Sequence, residues 1–107
     1  MSATSGNTYK YLDEVNESIV RNFPHVSSSP RPVVLDVGCG TASTGKALEK
    51  KGYEVWGIDN SHEACMLASK HITKALPADI TDFRAIDENF KNKVFDHIIF
   101  ADILEHV

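Results

Sequence analysis

Three aspartates each stand at the end of a short apolar run. Asp36 follows Val33-Val34-Leu35, Asp59 follows Val55-Trp56-Gly57-Ile58, and Asp79 follows Ala75-Leu76-Pro77-Ala78. One acid in such a place is ordinary. Three in succession suit a ligand with hydroxyls, an amino group or positive charge, because carboxylates accept hydrogen bonds and attract cations. A phosphate-rich ligand would want backbone donors and cations there instead. Gly38 and Gly40 follow the first acid, and glycine lets a chain turn sharply and come close to a ligand.

The elements that must position these groups can be read around them. Val33 to Val37 is β-branched with no alternation, which predicts a strand buried on both faces. Ser43 to Lys51 reads as a helix, with Gly52 as its stop after a lysine-rich last turn. Glu54 to Ile58 is a second strand, and the three pieces make one βαβ unit with an expected right-handed connection. Asn60 or Ser61 can cap a further helix with Ala64, Cys65, Ala68 and Ile72 on one face. A third strand is expected at about Lys74 to Ala78. Pro77 cannot donate to a ladder, so that strand belongs at a sheet edge. Thr81 is expected to start a short helix with Phe83, Ile86 and Phe90 on one side, and Phe95 to Phe100 is the last strand. Ligands bind beyond the carboxyl ends of such strands, where Asp36, Gly38, Cys39, Gly40, Asp59, Asn60, Asp79, Ile80 and Ala101 all fall.

Ahead of this unit, residues 1–8 are small and polar and are expected to be disordered. Leu12, Val15, Ile19 and Phe23 describe one face of a helix over 9–23, and 24–32 reads as a Ser/Pro-rich linker. The 107 residues, 42% hydrophobic and 24% charged, fit one globular domain. A net charge of −4 gives no strong nucleic-acid signal. No run is long enough to span a membrane and no signal-peptide core is present, so a cytoplasmic location is expected. The two cysteines, Cys39 and Cys65, make no disulfide framework and read as packing residues.

Three readings compete for the glycine turn. Gly40-Thr-Ala-Ser-Thr-Gly45-Lys46 matches the P-loop spacing, but Ala47 stands where that motif needs a hydroxyl for magnesium. Gly38-Cys-Gly40-Thr-Ala-Ser43 begins a dinucleotide fingerprint but has Ser43 in place of the third glycine. The third reading uses more residues. Val34-Leu35-Asp36-Val37-Gly38-Cys39-Gly40-Thr41 resembles the first motif of the class I S-adenosylmethionine-dependent methyltransferases, with Ala42 where that family has a further glycine. Glu54 to Asp59 resembles the second motif, Ala78-Asp79-Ile80 the third, and Phe95 to Ala101 the fourth strand.

The resemblance implies a Rossmann-like, doubly wound α/β sheet. Residues 33–107 would supply four strands in the order 3-2-1-4, an incomplete version of a family sheet ordered 3-2-1-4-5-7-6. It implies S-adenosyl-L-methionine as cofactor, with Asp59 on the ribose hydroxyls, Asp79 on the adenine amino group, Ile80 on the ring, and the glycine turn offering N–H groups to the cofactor carboxylate. Structural roles stand beside these: Asp36 can tie the turn together, Asp79 can cap the next segment, and Trp56, Tyr9 and Tyr11 can simply pack. Asp102-Ile-Leu-Glu105-His106 is similar to the Glu-x-x-Glu-His segment of the ubiquinone-biosynthesis O-methyltransferases and of RNA 2′-O-methyltransferases. In the latter it binds a divalent metal, which implies Mg²⁺ or Mn²⁺ at Asp102, Glu105 and His106; the other readings are a helix start with acids near its positive end, or His106 as a general base. The chain then reads as the N-terminal, cofactor-binding half of a methyltransferase, its methyl acceptor unidentified and a small molecule favoured. A non-catalytic module of the same fold is the competing class. With no fifth strand, the fourth is an apolar edge expected to join chains together.

Overall fold

The structure, a computed structural model, describes residues 15–100. Its elements are α1 (Glu17–Arg21), β1 (Val33–Val37), α2 (Ser43–Lys50), β2 (Glu54–Asp59), α3 (His62–Ala68), β3 (Lys74–Pro77), α4 (Phe83–Asn89) and β4 (His97–Ile99). All four strands pair in parallel in the order β3-β2-β1-β4. This is the Rossmann-like arrangement expected above, with Pro77 on an edge strand. Among the described residues no helix is long and apolar enough to cross a membrane.

The sheet works because β1 is apolar on both sides. All five of its residues are buried. Successive side chains of a strand point to opposite faces, and they feed two separate clusters. Val34 packs with Leu48, Val55, Ala68 and Ile72, while Leu35 and Val37 pack with Ile58, Leu76 and Phe90. Trp56 belongs to the second cluster, edge-on to Phe90 and Phe95, with Lys93 4.8 Å above its ring. Glu54 joins this group by accepting from Trp56 Nε1 and pairing with Lys93. Those two bonds, the lysine first, hold its carboxyl below the usual range.

Four expectations need correcting. The helix expected over 9–23 is α1 alone within the described residues. Asn16 is not helical; its side chain accepts from the Ile19 N–H and so starts a new helix there, as Asn favours at an N-cap. The stretch 24–32 is strapped down rather than loose. Val26 N–H donates to Lys51 O, Tyr53 O–H to Pro24 O, and Lys51 Nζ to Val20 O and Phe23 O. Phe83 is 75% exposed instead of buried beside Ile86 and Phe90. Asp82 caps α4, which makes Phe83 its first residue, outside the cluster that Ile86 and Phe90 join.

The last strand is shorter than Phe95 to Phe100. Asp96 does not extend it but closes the ladder of β1: its carboxylate accepts from Val33 N–H at 2.7 Å and its own N–H donates to Val33 O. Phe95 turns into the second cluster. β4 pairs on one side only among the described residues, and Ile98 and Phe100 are 55% and 41% exposed, so the edge is apolar as expected. Residues 1–14 and 101–107, with Tyr9, Tyr11, Ala101, Asp102, Glu105 and His106, lie outside the described residues.

Candidate functional site

The parallel sheet brings the carboxyl ends of β1, β2 and β3 together, and with them the acids. Asp36 is fully buried. Beyond it the chain reverses through three positive-φ residues, Gly38 at 77°, Gly40 at 57° and Ala42 at 73°. Gly38 and Cys39 N–H both donate to Ile58 O, at 2.7 and 2.9 Å, and Gly40 N–H donates to Asp59 Oδ2 at 2.9 Å. The other oxygen of Asp59 accepts from Ser61 N–H at 3.0 Å. Asp59 therefore ties the glycine turn to the start of α3, where Ser61 itself caps by accepting from Ala64 N–H. This is a structural need that the position of Asp59 after an apolar strand did not disclose.

These bonds correct one expectation. The N–H groups of Gly38, Cys39 and Gly40 are all engaged within the protein, so they are not offered to a ligand. What the glycines provide is backbone conformation and close approach. Cys39 is likewise turned away from the strand ends. Its sulfur lies against Gly57, where an added methyl carbon would meet it at 2.7 Å, and it donates to Gly40 O. A hydrogen bond to Cys65, burial and the nearby charge of Asp36 push its thiol upward, which keeps it protonated and inert.

An open cleft of about 150 Å³ lies over these strand ends, lined by Gly38, Ile58, Asp59, Asn60, Ala78, Asp79 and Ile80. The structure thus gathers five of the residues singled out above, Gly38, Asp59, Asn60, Asp79 and Ile80. Asp36, Cys39 and Gly40 do not line it. Ile58 and Ala78 were missed. Each directly precedes one of the acids, and that adjacency was the signal available. Asp79 Oδ1 accepts from Thr81 N–H and O–H, at 2.8 and 2.6 Å, and these bonds, the hydroxyl first, lower its pKa. It is exposed and ionised, and its Oδ2 accepts from no described residue. Among the described residues the cleft offers two carboxylates, an amide and apolar side chains, with no cation. That donor set fits a nucleoside bearing a diol and an amino group and does not fit a polyphosphate.

The P-loop alternative for the turn fails on this geometry. Gly45, needed as a loop residue in a P-loop, is buried inside α2 against Ile72 and Val55. Ala42, where the family pattern has glycine, is held left-handed and fully buried. Strain of about 1–2 kcal/mol in that conformation is opposed by about 0.8 kcal/mol for the buried methyl and about 0.4–1 kcal/mol of unfolded-state entropy that glycine would add. Ala42→Gly should therefore leave stability within about 1 kcal/mol of the parent in urea unfolding. A gain above about 1 kcal/mol would show that the methyl contributes nothing.

A family profile described as a methyltransferase domain matches residues 34–107. The ubiquinone biosynthesis O-methyltransferase of Rhizobium etli (strain CIAT 652) is 29% identical over 101 residues, 90% of this chain and 41% of that protein. That of Rhizobium rhizogenes (strain K84) is 30% identical over 103 residues, with the same shares. The chain therefore spans about two-fifths of the curated relatives it matches. Among solved structures, a TehB-like SAM-dependent methyltransferase from Corynebacterium glutamicum aligns with a TM-score of 0.56 at 21% identity, over 99% of this chain and 58% of that one. The plantazolicin methyltransferase BpumL in complex with SAH aligns at 0.51 and 27% identity, over 87% and 35%. In fold, in motif order and in the profile it matches, the chain belongs to the methyltransferase domain family, of the class I S-adenosylmethionine-dependent type.

Proposed function

We propose that the chain is the cofactor-binding part of a methyltransferase that moves a methyl group from S-adenosyl-L-methionine to a hydroxyl of a small-molecule acceptor, in the cytoplasm. The observation that carries this reading is the cleft over the strand ends, with Asp59 and Asp79 as its charged groups among the described residues. Each oxygen of Asp59 already accepts one backbone N–H. A carboxylate has about four lone-pair sites, so both oxygens keep capacity for a ribose diol while the backbone bonds fix their direction. Asp79 Oδ2 suits an adenine amino group, and Ile58, Ala78 and Ile80 supply apolar surface for the ring. The cleft is smaller than the roughly 300–1,000 Å³ usual for ligand pockets, so it suits the nucleoside end of the cofactor.

When bound, S-adenosylmethionine supplies a methyl group already activated by its sulfonium. The chain's own part is to orient and to exclude water, which lowers a barrier without an acid or base. The O-methyltransferase names of the relatives and the residues Asp102, Glu105 and His106 support a hydroxyl acceptor, with Mg²⁺ or Mn²⁺ as a further cofactor read from that sequence pattern alone. Among the described residues no group of three His, Cys, Asp or Glu side chains could hold a metal.

Thermal unfolding tests the cofactor. A ligand of the folded state adds about 2.7 kcal/mol at a hundred times its dissociation constant. S-adenosylhomocysteine should raise the melting temperature while NAD and Mg-ATP do not; a rise with Mg-ATP alone would overturn the reading. The exposed apolar edge of β4 supports self-association of this chain, strand to strand. Light scattering over a concentration series checks it, and a strict monomer at high concentration would refute it.

A further inference from the structure

Two buried thiols adjoin residues of the cofactor cleft, and methyl transfer uses neither. Cys39 stands in the glycine turn, directly after Gly38, and is 1% exposed. Cys65 lies in α3 and is 4% exposed. The packing of α3 on β2 brings them together. Gly57 has no side chain, and the Cys39 sulfur and Ile72 fill the space that a Cβ would need. Ala68 joins the same cluster as Cys39 and Ile72. Cys65 shares the buried face of α3 with Ala68, one helical turn away. Its S–H donates to Asp59 O at 3.6 Å, two residues along β2 from Gly57. The two thiols are also hydrogen-bonded to each other. The bond from Cys39 favours the thiolate of Cys65 and lowers its pKa, against burial and the charge of Asp59.

We propose that Cys39 and Cys65 form a reversible disulfide in the presence of hydrogen peroxide, and that this bond weakens cofactor binding in the cleft over the strand ends. The Cys65 sulfur attacks one peroxide oxygen and the O–O bond breaks. Cys65 becomes a sulfenic acid, and the departing hydroxide leaves as water with the thiol proton. The Cys39 sulfur then attacks the Cys65 sulfur. The S–O bond breaks, and the hydroxyl leaves as a second water with the Cys39 proton. Two thiols are oxidised and one peroxide is reduced to two waters. Cys39 is inert toward solvent, but here its target is the oxidised sulfur beside it. A thiol reductant reverses the bond by exchange. Transient disulfides of this kind are how reducing compartments use paired cysteines.

The coupling rests on the cofactor reading of that cleft. Gly38 lines it just before Cys39, and Asp59 and Asn60 line it just before α3. Hydrogen-bonded sulfurs are farther apart than bonded ones, so oxidation draws the glycine turn and α3 together. The Asp59 carboxylate is held between these two elements by Gly40 N–H and Ser61 N–H. It shifts with them, and the ribose contact shifts with it.

Intact mass and calorimetric titration test both halves on the 107-residue protein, reduced and then treated with hydrogen peroxide. The oxidised chain should lose two hydrogens and stay monomeric on a non-reducing gel. A non-reducing digest should join the Cys39 and Cys65 peptides, and dithiothreitol should part them. Cys39→Ser should stop at the sulfenic acid, which dimedone labels on Cys65, whereas Cys65→Ser should take up no dimedone. Affinity for S-adenosylhomocysteine should fall on the order of fivefold or more on oxidation and return with dithiothreitol. Cys65→Ser should show no such fall, and it also carries any effect of oxidising the exposed Met66. Should a variant fail to fold, the digest of the parent chain decides the bond. Thiols that survive peroxide unpaired, or a disulfide that joins two chains, would overturn the proposal. An affinity that is unchanged by the disulfide, or that falls equally in Cys65→Ser, would overturn the coupling. Reduced protein that binds no S-adenosylhomocysteine would overturn the cofactor reading and the coupling with it, while the mass still decides the disulfide.

Discussion

Glu49→Ala should lower the unfolding free energy by about 1.5–3 kcal/mol, the loss of the charged acceptor of one buried backbone donor, Val55 N–H. Glu49 lies near the end of α2 with its side chain 19% exposed. Its Oε2 accepts from Val55 N–H at 3.0 Å, from Thr73 N–H at 3.0 Å and from Thr73 O–H at 2.7 Å. Its Oε1 pairs with Arg31 at 2.9 Å. One carboxylate thus fastens the amino ends of β2 and β3 to a helix and to the segment that precedes β1. The exposed ion pair to Arg31 contributes little, about 1 kcal/mol at most. The bond from Val55 N–H carries the effect, because Val55 is fully buried and its N–H has no water to turn to, whereas Thr73 N–H also donates to Val55 O at 2.9 Å. Against a total stability of about 5–15 kcal/mol, the loss should move the melting temperature down by roughly 10–20 °C, at about 4–8 °C per kcal/mol for a chain of this size. Glu49→Gln keeps one carbonyl acceptor and should cost about half as much. Urea unfolding measures both. A cost below about 1 kcal/mol for Glu49→Ala would mean that the N–H of Val55 finds another acceptor.

The sheet was legible because its signals are local. Val33 to Val37 is apolar at four of its five positions with no alternation, as a strand buried on both faces requires. Pro77 fixed β3 at an edge for want of one N–H, and the structure pairs it only with Asp59. Ser61 as a cap, and Ala64, Cys65, Ala68 and Ile72 as one buried face, follow from helical period. What stayed hidden was non-local. Nothing near Glu49 in the chain announces that it meets Thr73, or that Asp96 meets Val33. The turn amides read as free because sequence shows which residues turn and not where their N–H groups point. The acceptors, Ile58 O and Asp59 Oδ2, come from the neighbouring strand. Phe83 obeys the helical period and still ends up exposed, because period gives a face but not which of its residues reach the core. The cofactor cleft was half legible for the same reason. Its acids mark strand ends, whereas Ile58 and Ala78 enter it only through the register that sets β2 against β1 and β3.

Asp59→Ala should weaken binding of S-adenosylhomocysteine by more than about tenfold, and by about a hundredfold if both ribose hydroxyls are held, since charge-assisted bonds contribute about 1.5–3 kcal/mol each. The structure complicates the reading of such a loss, because the same carboxylate organises the loop. It holds Gly40 N–H and Ser61 N–H, and both bonds vanish with it. A drop in affinity would then have two explanations, lost contact with the ribose or a disordered turn. Ser61→Ala separates them. It removes the cap on Ala64 N–H, costs about 1 kcal/mol of stability, and leaves the Asp59 carboxylate and its bond to Gly40 in place. If the carboxylate acts on the ribose, Ser61→Ala should bind S-adenosylhomocysteine within about twofold of the parent after the stability change is accounted for. Asp59→Asn adds a second comparison. It keeps one acceptor oxygen for the backbone but loses the charge, so it should fold better than the alanine variant yet bind almost as poorly. Calorimetric titration gives the affinities and urea unfolding the stabilities. An affinity that falls equally in Ser61→Ala and Asp59→Ala would assign the effect to loop order. An affinity unchanged in all three variants would put the ribose elsewhere on the strand ends.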